Sequence, residues 1–414
     1  FMARSVTLTL TVCIAHIMDY IKTKGVVRLK NIQEPSGHLR STLPNQQEQL
    51  KKRPVTVGVL TTANKKGLPG GEQSRLFKEM VSYGMKNNIA IYFFFSRDVY
   101  WKQRRIRGYT WNGKVWKRGL FPFPDIVYNR IRFRNIESQI HVKHLLRKLD
   151  KDPAIYLFNS RFLNKWEVYQ ALRIRKSTAK WLPETARFNR QSLVTMIHKY
   201  PEVFLKYSYG SLGKGIIKVK HLPHGQYAYA VAKKGAMSWK KCYSADSLYR
   251  QLTFLTKNAY LVQRGIELAQ YKGHIFDLRT QLQKNGTGEW VLTGVAVRIA
   301  GKNRFVTHIP NGGRSASYIE VMDEVFGPNS MTRQQIDQQL EEIRTQVPRV
   351  LEKELKLSLA VLSLDIGVDK NGRMLIIEIN SKPASFDEND IRNAHWQNLM
   401  DYFIYITENP TRGR

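Results

Sequence analysis

Cysteine is scarce in this chain: its 414 residues include only Cys13 and Cys242. Two cysteines cannot build a disulfide framework, and their scarcity fits a reducing compartment. No stretch of about 18 uncharged apolar residues occurs, so the sequence indicates no transmembrane helix. The apolar content of 42% is ordinary for a globular protein, and a chain of this length is expected to form two or more domains.

Acidic residues are few compared with basic ones. Asp and Glu number 33 against 67 Lys and Arg, which gives a formal net charge of +34. Such an excess favours polyanionic partners such as nucleic acid, anionic cell-wall polymer, anionic lipid or nucleotide phosphates. The basic residues are spread along the whole chain, without zinc-finger spacing or an RNA-recognition signature. We therefore expect a generally basic surface without a dedicated nucleic-acid site.

Composition separates a first segment from the rest of the chain. Residues 1–53 form an N-terminal extension that ends in a polar linker rich in Lys, Gln and Pro. A compact domain is expected at 54–158. It begins with two buried-strand runs, at 55–62 and 89–95, on either side of an amphipathic helix, which predicts a βαβ unit and a parallel sheet.

The remainder of the chain, residues 159–408, alternates strands and helices. Strands dominate from 203 to 300, and a long helix is predicted at 332–355. No internal repeat is visible. No Ser/His/Asp or Cys/His arrangement suitable for nucleophilic catalysis is found either.

The stretch LSLDIGVDKNGRMLIIEINSKP at 362–383 places polar residues on otherwise apolar strands. Asp365 precedes a DKNG turn, and Glu378 and Asn380 follow on the return strand at a spacing that puts both on one face of the sheet. A hairpin can bring Asp365 to the same face. Three converging oxygen-bearing side chains make a site for a hard cation such as Mg²⁺. Such a cation would offset carboxylates that are otherwise expensive to bury.

The loop YGSLGKGI at 209–216 lies between two predicted strands, VFLKYS and GIIKVK. A Walker A loop leads into a helix, so this loop is of another kind. It predicts a hairpin lid that lays backbone N–H groups over phosphates. Its candidate contact residues are Gly210, Ser211, Gly213, Lys214 and Gly215. The alternative is a simple tight turn.

Three further basic residues lie on apolar strands. Lys206, in the strand before the loop, requires an anionic partner unless it extends to solvent from a strand edge. Arg279 and Arg298 predict a bidentate partner, either phosphate or carboxylate, unless they face outward. The strand in YLVQRGIEL at 260–268 ends near Gln263, where a turn could hold adenine through backbone hydrogen bonds. An ordinary strand end is the alternative reading of that segment.

The order of these motifs, together with Lys165 in NKWEVYQAL, resembles the ATP-grasp superfamily over roughly 159–407. More narrowly, VGVLTT, FPDIVYNRI, FNSRFLNKWEVYQAL and FLKYSYGSLGKGI are similar to segments of the YheC/YheD endospore coat-associated family. The resemblance implies an ATP-grasp fold in which an N-terminal α/β pre-ATP-grasp domain precedes two α+β subdomains. These would enclose a nucleotide cleft, with a lid subdomain at about 184–262 and a metal-site subdomain at about 263–408.

The same resemblance implies a role for each matched residue. Lys165 and Lys206 would contact ATP, and the loop residues Gly210 to Gly215 would cover its phosphates. The adenine hinge would be formed by Gln263, Arg264, Gly265 and Ile266, with Glu267 at the ribose. Arg298, with Arg279 and Lys206, would serve catalysis by stabilising the transferring phosphoryl group. Two Mg²⁺ ions, or Mn²⁺, would bind Asp365, Glu378 and Asn380. Arg264 departs from the acidic residue that related ligases often have there.

The expected function is an ATP- and Mg²⁺-dependent carboxylate–amine ligase that acts through an acyl phosphate in a sporulation context. We expect it in the mother-cell cytoplasm or the spore coat. Its partners would be ATP, unidentified acid and amine substrates (an anionic cell-wall or peptide acceptor among them) and coat proteins. Arg279, Arg298 and Arg314 are expected to line the cleft mouth. Two alternatives stay open: a coat protein that binds ATP without turnover, and a polyanion-binding protein.

Overall fold

The computed structural model describes residues 54–410 except for short gaps. The gaps lie at 211–214, 233–237, 257–258, 302–303, 306 and 308–312. The expected N-terminal extension, residues 1–53, therefore lies outside the described residues. So do Ser211, Gly213 and Lys214 of the predicted lid.

The first sheet contains six strands in the order β4-β3-β2-β1-β5-β6. Their ranges are β1 Val55–Leu60, β2 Ile89–Tyr100, β3 Arg105–Trp111, β4 Trp116–Pro122, β5 Ile126–Asn129 and β6 Tyr156–Phe158. Helix α1 (Ser74–Lys86) connects β1 to its parallel neighbour β2, as the sequence predicts for a βαβ unit. Strands β5 and β6 continue the parallel part. Helices α2 (Arg134–Glu137) and α3 (Ile140–Asp150) precede β6.

Strands β3 and β4 pair antiparallel around a tight turn at Asn112-Gly113, a dipeptide typical of hairpins. Gly113 has a φ of +95°, a conformation that favours glycine. The Asn112 side chain accepts hydrogen bonds from the N–H groups of Lys114 and Val115, which closes the turn.

The second sheet is antiparallel, with the order β11-β10-β9-β8-β12-β7. Its strands are β7 Thr185–Arg187, β8 Glu202–Tyr207, β9 Ile217–His221, β10 Tyr227–Val231, β11 Trp239–Cys242 and β12 Tyr260–Arg264. Before it in the chain come α4 (Lys165–Arg173) and α5 (Lys176–Ala179), and α6 (Arg190–Lys199) and α7 (Ala245–Leu255) belong to this region. Strands β8 and β9 pair on either side of the glycine-rich loop, so the predicted hairpin flanks are confirmed.

The third sheet is also antiparallel, with the order β16-β15-β14-β17-β18 and β13 paired to β14. Its strands are β13 Gln270–Tyr271, β14 His274–Lys284, β15 Trp290–Ile299, β16 Arg314–Ala316, β17 Val361–Val368 and β18 Met374–Asn380. Helices α8 (Tyr318–Phe326) and α9 (Met331–Leu355) lie between β16 and β17 in the chain. One face of β14 is apolar and joins a core with α9, whereas the other face carries polar side chains.

The last helix, α10 (Asn389–Glu408), packs into the core of the first sheet. Its side chains Trp396, Met400 and Phe403 are buried beside Val57 and Phe93. The final helix of the chain thus completes the core of the N-terminal sheet. No helix in the described ranges has both the length and the apolar character needed to cross a bilayer.

Candidate nucleotide and metal site

Two of the predicted metal ligands lie directly opposite each other on neighbouring strands. Asp365 on β17 pairs with Glu378 on β18, and Ser363 pairs with Asn380. A register shift follows between Asp365 and Ile366. Because residues two apart on a strand share a face, Asp365, Glu378 and Asn380 all belong to the polar face of the third sheet.

Each of the two carboxylates has a cationic partner. The Lys165 ammonium lies 2.8 Å from Glu378 Oε1, and Arg298 Nη2 lies 3.0 Å from Asp365 Oδ2. Lys165 also donates to the carbonyl of Gly210, 2.7 Å away, at the start of the glycine-rich loop. These contacts offset the cost of burying the carboxylates.

Arg298 is buried and held in a fixed orientation by Asp277. Its Nε and Nη2 atoms donate to the two carboxylate oxygens of Asp277 at 2.8 and 2.7 Å, and the Thr307 hydroxyl donates to the same carboxylate at 2.6 Å. Burial by itself lowers the pKa of Arg298, but the charges of Asp365 and Asp277 outweigh it and the pKa is raised. Arg298 is therefore a permanent, oriented cation beside Asp365.

Lys206 is buried in β8, with 9% of its surface exposed, and its ammonium donates to Gln263 Oε1 at 2.5 Å. The Gln263 amide in turn donates to the Thr185 hydroxyl at 2.9 Å. Burial lowers the pKa of Lys206 to about 8, although the charges of Glu378 and Asp365 act in the opposite direction. A buried ammonium held by a neutral amide is poised to receive an anionic ligand.

A slot between the second and third sheets brings these groups together. Its polar lining includes Lys165, Lys206, Gln263 and Glu378. Its apolar lining consists of Val168, Leu182, Pro183, Leu261, Ile376, Ile377 and Ile379, with Tyr169 beside them. Residues predicted from four separate parts of the sequence thus share one slot.

The predicted adenine hinge lies at the end of β12, next to this slot. The N–H groups of Arg264 and Gly265 donate to the carbonyls of Glu184 and Glu202 at 2.8 and 2.9 Å, so they are already used within the protein. Glu267 is exposed and lies 3.3 Å from the Lys370 ammonium. Of the backbone N–H groups predicted to bind adenine, that of Ile266 is then the candidate hydrogen-bond donor to the base.

The described ends of the glycine-rich loop are tied to neighbouring strands. The Gly210 N–H donates to the Tyr207 carbonyl, and the Gly215 carbonyl accepts from the Tyr260 hydroxyl at 3.3 Å. Gly215 has a φ of +70°, and a Cβ there would lie 2.9 Å from the Tyr260 oxygen. Only glycine fits this position without strain.

The two other arginines expected at the cleft mouth differ in position. Arg279 pairs in register with Asp365 and is half-buried, and its Nη2 donates to the Ala384 carbonyl at 3.1 Å. Burial lowers its pKa, although Asp365 acts in the opposite direction. Arg314, on β16, is exposed. Arg298, by contrast, lies inside the site and not at its mouth.

Sequence reasoning missed two groups of charged residues at the site. Asp277, which orients Arg298, lies two residues before Arg279 in DLRTQL, and this i, i+2 spacing was a usable signal. The second group is an ion pair between Glu137 of α2 and Lys382, which follows β18. No local pattern indicates that pair, because 245 residues separate its members.

A profile of the YheC/D-like ATP-grasp family matches residues 154–406 of the chain. The chain belongs to this family. The match covers the second and third sheets and the slot between them, and the fold is accordingly an ATP-grasp fold, as the sequence resemblance implied. Members of this superfamily have a ligase-like, ATP-dependent architecture.

Two relatives and one solved structure show how the chain compares with named proteins. It is 27% identical to the endospore coat-associated protein YheD of Bacillus subtilis (strain 168) over 332 residues, 79% of this chain and 72% of YheD. It is 24% identical to YheC of the same organism over 65% of this chain and 73% of YheC. D-alanyl-alanine synthetase A from Vibrio cholerae O1 aligns with a TM-score of 0.48 and 11% identity, covering 87% of this chain and 98% of that chain.

Proposed function

We propose that this protein is an ATP- and Mg²⁺-dependent ligase that joins a carboxylate to an amine through an acyl phosphate. The observation that carries the proposal is the slot in which Lys165, Lys206 and Gln263 face Glu378. Apolar walls suit a nucleotide base, and buried ammonium groups suit its phosphates. Membership of an ATP-grasp family supports the same reading.

Asp365, Glu378 and Asn380 would hold Mg²⁺. They offer two carboxylates and an amide oxygen on one face of adjacent strands, and Mg²⁺ prefers oxygen ligands and takes few from the protein. In the part of the chain that the structure describes, no three His, Cys, Asp or Glu side chains cluster as a metal site. Because all the donor atoms offered by Asp365, Glu378 and Asn380 are oxygens, they suit Mg²⁺ or Mn²⁺ better than a softer metal. When bound, Mg²⁺ would offset the charge of the phosphates.

The protein's own cations would position the nucleotide. Lys165 would exchange its contact with Glu378 for a phosphate oxygen, since its flexible side chain already spans Glu378 and the base of the loop. Lys206 would exchange Gln263 for phosphate. Arg298 would stay in place, because the Asp277 carboxylate accepts from both its Nε and its Nη2, and would face charge that develops during transfer.

The proposed reaction needs no covalent bond to the protein. A carboxylate oxygen of the acid attacks the γ-phosphorus of ATP, and ADP leaves. The amine nitrogen then attacks the acyl carbon, phosphate leaves with the bonding electrons, and the nitrogen loses a proton. Phosphoryl transfer of this kind depends mainly on positioning and charge neutralisation.

The experiment that tests this proposal traps the acyl phosphate. The full chain is incubated with ATP, Mg²⁺, hydroxylamine and a panel of acids, and hydroxamate, ADP and phosphate are measured. We expect equal amounts of the three products with at least one acid. Glu378→Gln should lose the activity, whereas Glu341→Gln, on the exposed side of α9, should keep it. Absence of hydroxamate and of ADP with every acid would contradict ligase turnover.

A second candidate is a coat-associated protein that binds ATP without turnover. The names of the relatives YheD and YheC favour it, as does the pairing of both carboxylates with protein cations. Binding of Mg²⁺–ATP without ADP release would select this candidate. On the same grounds we propose a location in the mother-cell cytoplasm or the spore coat, which a fluorescent fusion in sporulating cells would test.

A further inference from the structure

Three arginine side chains near the end of β18 donate to backbone carbonyls. Arg130 Nη1 donates to the Pro383 carbonyl at 3.1 Å, and Arg279 Nη2 donates to the neighbouring Ala384 carbonyl at 3.1 Å. Arg134 Nη2 donates to the Leu163 carbonyl at 2.9 Å. Arg130 is 8% exposed, and the other two are half-buried.

None of these three guanidinium groups has an ion-pair partner within the described ranges. The Nε atoms of Arg134 and Arg279 are buried and have no hydrogen-bond partner at all. By contrast, Arg298, which lies on the same polar face as Arg279, forms ion pairs with two carboxylates. Carboxylates lie near two of them, Glu137 and Glu378 near Arg134 and Asp365 near Arg279, but none of these carboxylates forms an ion pair with the guanidinium. A buried cation without an ion-pair partner is costly, so an arrangement of three indicates an anionic ligand.

Two of the three arginines, Arg130 and Arg279, contact one short segment, and Arg134 lies beside it. The segment Lys382–Ala384 follows the metal strand β18, and its successive residues contact Glu137, Arg130 and Arg279. Arg134 and Lys382 lie over the same Phe162 ring, at 4.6 and 4.5 Å from its centroid. Arg130, which follows β5, and Arg134 of α2 therefore lie near Arg279 of the third sheet, beside the end of β18.

We propose that Arg130, Arg134 and Arg279 bind the acid substrate, and that this substrate carries at least two carboxylates. The inference rests on the proposed ligase function. The reacting carboxylate would lie at Arg279, because Arg279 is directly opposite Asp365. The second carboxylate would lie between Arg130 and Arg134. Guanidinium groups match carboxylates through paired hydrogen bonds, which the unpartnered Nε atoms can complete.

Charge balance is the reason for a second acidic group. Lys165 and Lys206 are assigned to phosphates, and Arg298 is balanced by Asp277 and Asp365. A monocarboxylic acid supplies one negative charge, which would meet Arg279. Arg130 and Arg134 would then remain without an ion-pair partner. A diacid supplies the missing charge at the wall formed by the N-terminal sheet.

The test measures binding of simple acids by calorimetry. The probes are malonate, succinate, glutarate and adipate, each compared with the monocarboxylate of equal chain length, with and without Mg²⁺–ADP. The variants are Arg134→Gln, Arg134→Lys and Arg130→Gln. Arg118→Gln is the matched control, because Arg118 is an exposed arginine on β4 of the N-terminal sheet. All variants are first compared with wild type by circular dichroism.

We expect at least one diacid to bind about tenfold or more tightly than its matched monoacid. Arg134→Gln should remove that preference, Arg134→Lys should restore part of it, and Arg118→Gln should leave it unchanged. A wild-type protein that shows no preference for any diacid, or a preference unchanged in Arg134→Gln, would overturn the inference. Mg²⁺–ADP binding is recorded separately. If the wild-type protein does not bind Mg²⁺–ADP, that result counts against the proposed ligase function. The acid titrations without nucleotide still test whether the three arginines bind a diacid.

Discussion

Asp365 and Glu378 face each other across β17 and β18, and each is held by a cation from a different part of the chain. Lys165 comes from the first turn of α4, and Arg298 comes from β15. The two cations differ in how freely their side chains can move. Lys165 has a flexible side chain and a carbonyl as its second partner, whereas Arg298 is fixed by Asp277. Metal binding should therefore displace Lys165 and leave Arg298 in place.

Glu378→Gln should remove Mg²⁺-dependent nucleotide binding. A neutral amide is a poorer Mg²⁺ ligand than a carboxylate, so we expect the affinity for ATP in the presence of Mg²⁺ to fall by about tenfold or more. Isothermal titration with Mg²⁺ and with EDTA measures this difference. The control Glu341→Gln should behave as wild type. Equal ATP affinity in Glu378→Gln and wild type would remove Glu378 from the metal site.

We expect the protein to take up a proton when it binds ATP near pH 9. The pKa of Lys206 is lowered to about 8 by burial, so above that pH the ammonium is partly deprotonated in the free protein. Bound phosphate favours the charged form, and its affinity should therefore fall as pH rises above 8. Calorimetry in two buffers of different ionisation enthalpy measures the uptake. Lys206→Met should abolish it, even though Lys382, with a pKa also near 8, remains. An unchanged uptake in that variant would assign it to another group.

The lowered pKa of Lys206 also affects the stability of the nucleotide-free protein. Because its folded-state pKa lies below its unfolded value of 10.5, the unfolded chain binds more protons between pH 8 and 10.5. The contribution of Lys206 to the free energy of unfolding therefore rises with pH across that window. Urea unfolding of wild type and Lys206→Met at pH 7.5 and 10 measures the difference. A contribution that falls with pH would contradict the assigned burial.

Asp277→Asn should destabilise the fold and reduce turnover. It removes the main counter-charge of the buried Arg298, and breaking a buried ion pair typically costs roughly 3–5 kcal/mol. Urea unfolding measures the loss. Asp246→Asn is the matched control, since it breaks an equally short but exposed pair with Arg190 and should cost little. If the two variants were equally stable, Asp277 would not hold Arg298 in the ionised pair we describe.

Asn159→Asp should disturb the start of β17 and the end of β18. The buried Asn159 amide donates to the carbonyls of Val361 and Ser381 at 2.7 and 2.5 Å, and its oxygen accepts from the N–H groups of Ala360 and Val361. Aspartate has the same shape but no donors when ionised. We expect a loss of at least about 2 kcal/mol in unfolding free energy. Asn135→Asp, at an exposed asparagine, is the control. Wild-type stability in Asn159→Asp would contradict this role.

The strands were largely predictable because their signals are local. Runs such as 55–62 and 203–208, the Asn112-Gly113 turn and the spacing of Glu378 and Asn380 all show in short windows of sequence. Helix α8 was missed although its N-cap Ser317 and Glu320 form a recognisable local pattern. The register between strands, in contrast, leaves no signal in a short window of sequence. That Arg279 faces Asp365 depends on how strands 86 residues apart align, which no local window shows.

The packing of α10 has a consequence for synthesis on the ribosome. The first sheet is made early, but its core includes Trp396, Met400 and Phe403 from the last helix. Emerging domains usually fold in order from the N-terminus. Here the nascent N-terminal sheet must wait, with apolar side chains such as Phe93 uncovered, until α10 has been synthesised. The nascent chain should therefore remain a substrate for ribosome-associated chaperones, and truncation before α10 should produce aggregation-prone fragments.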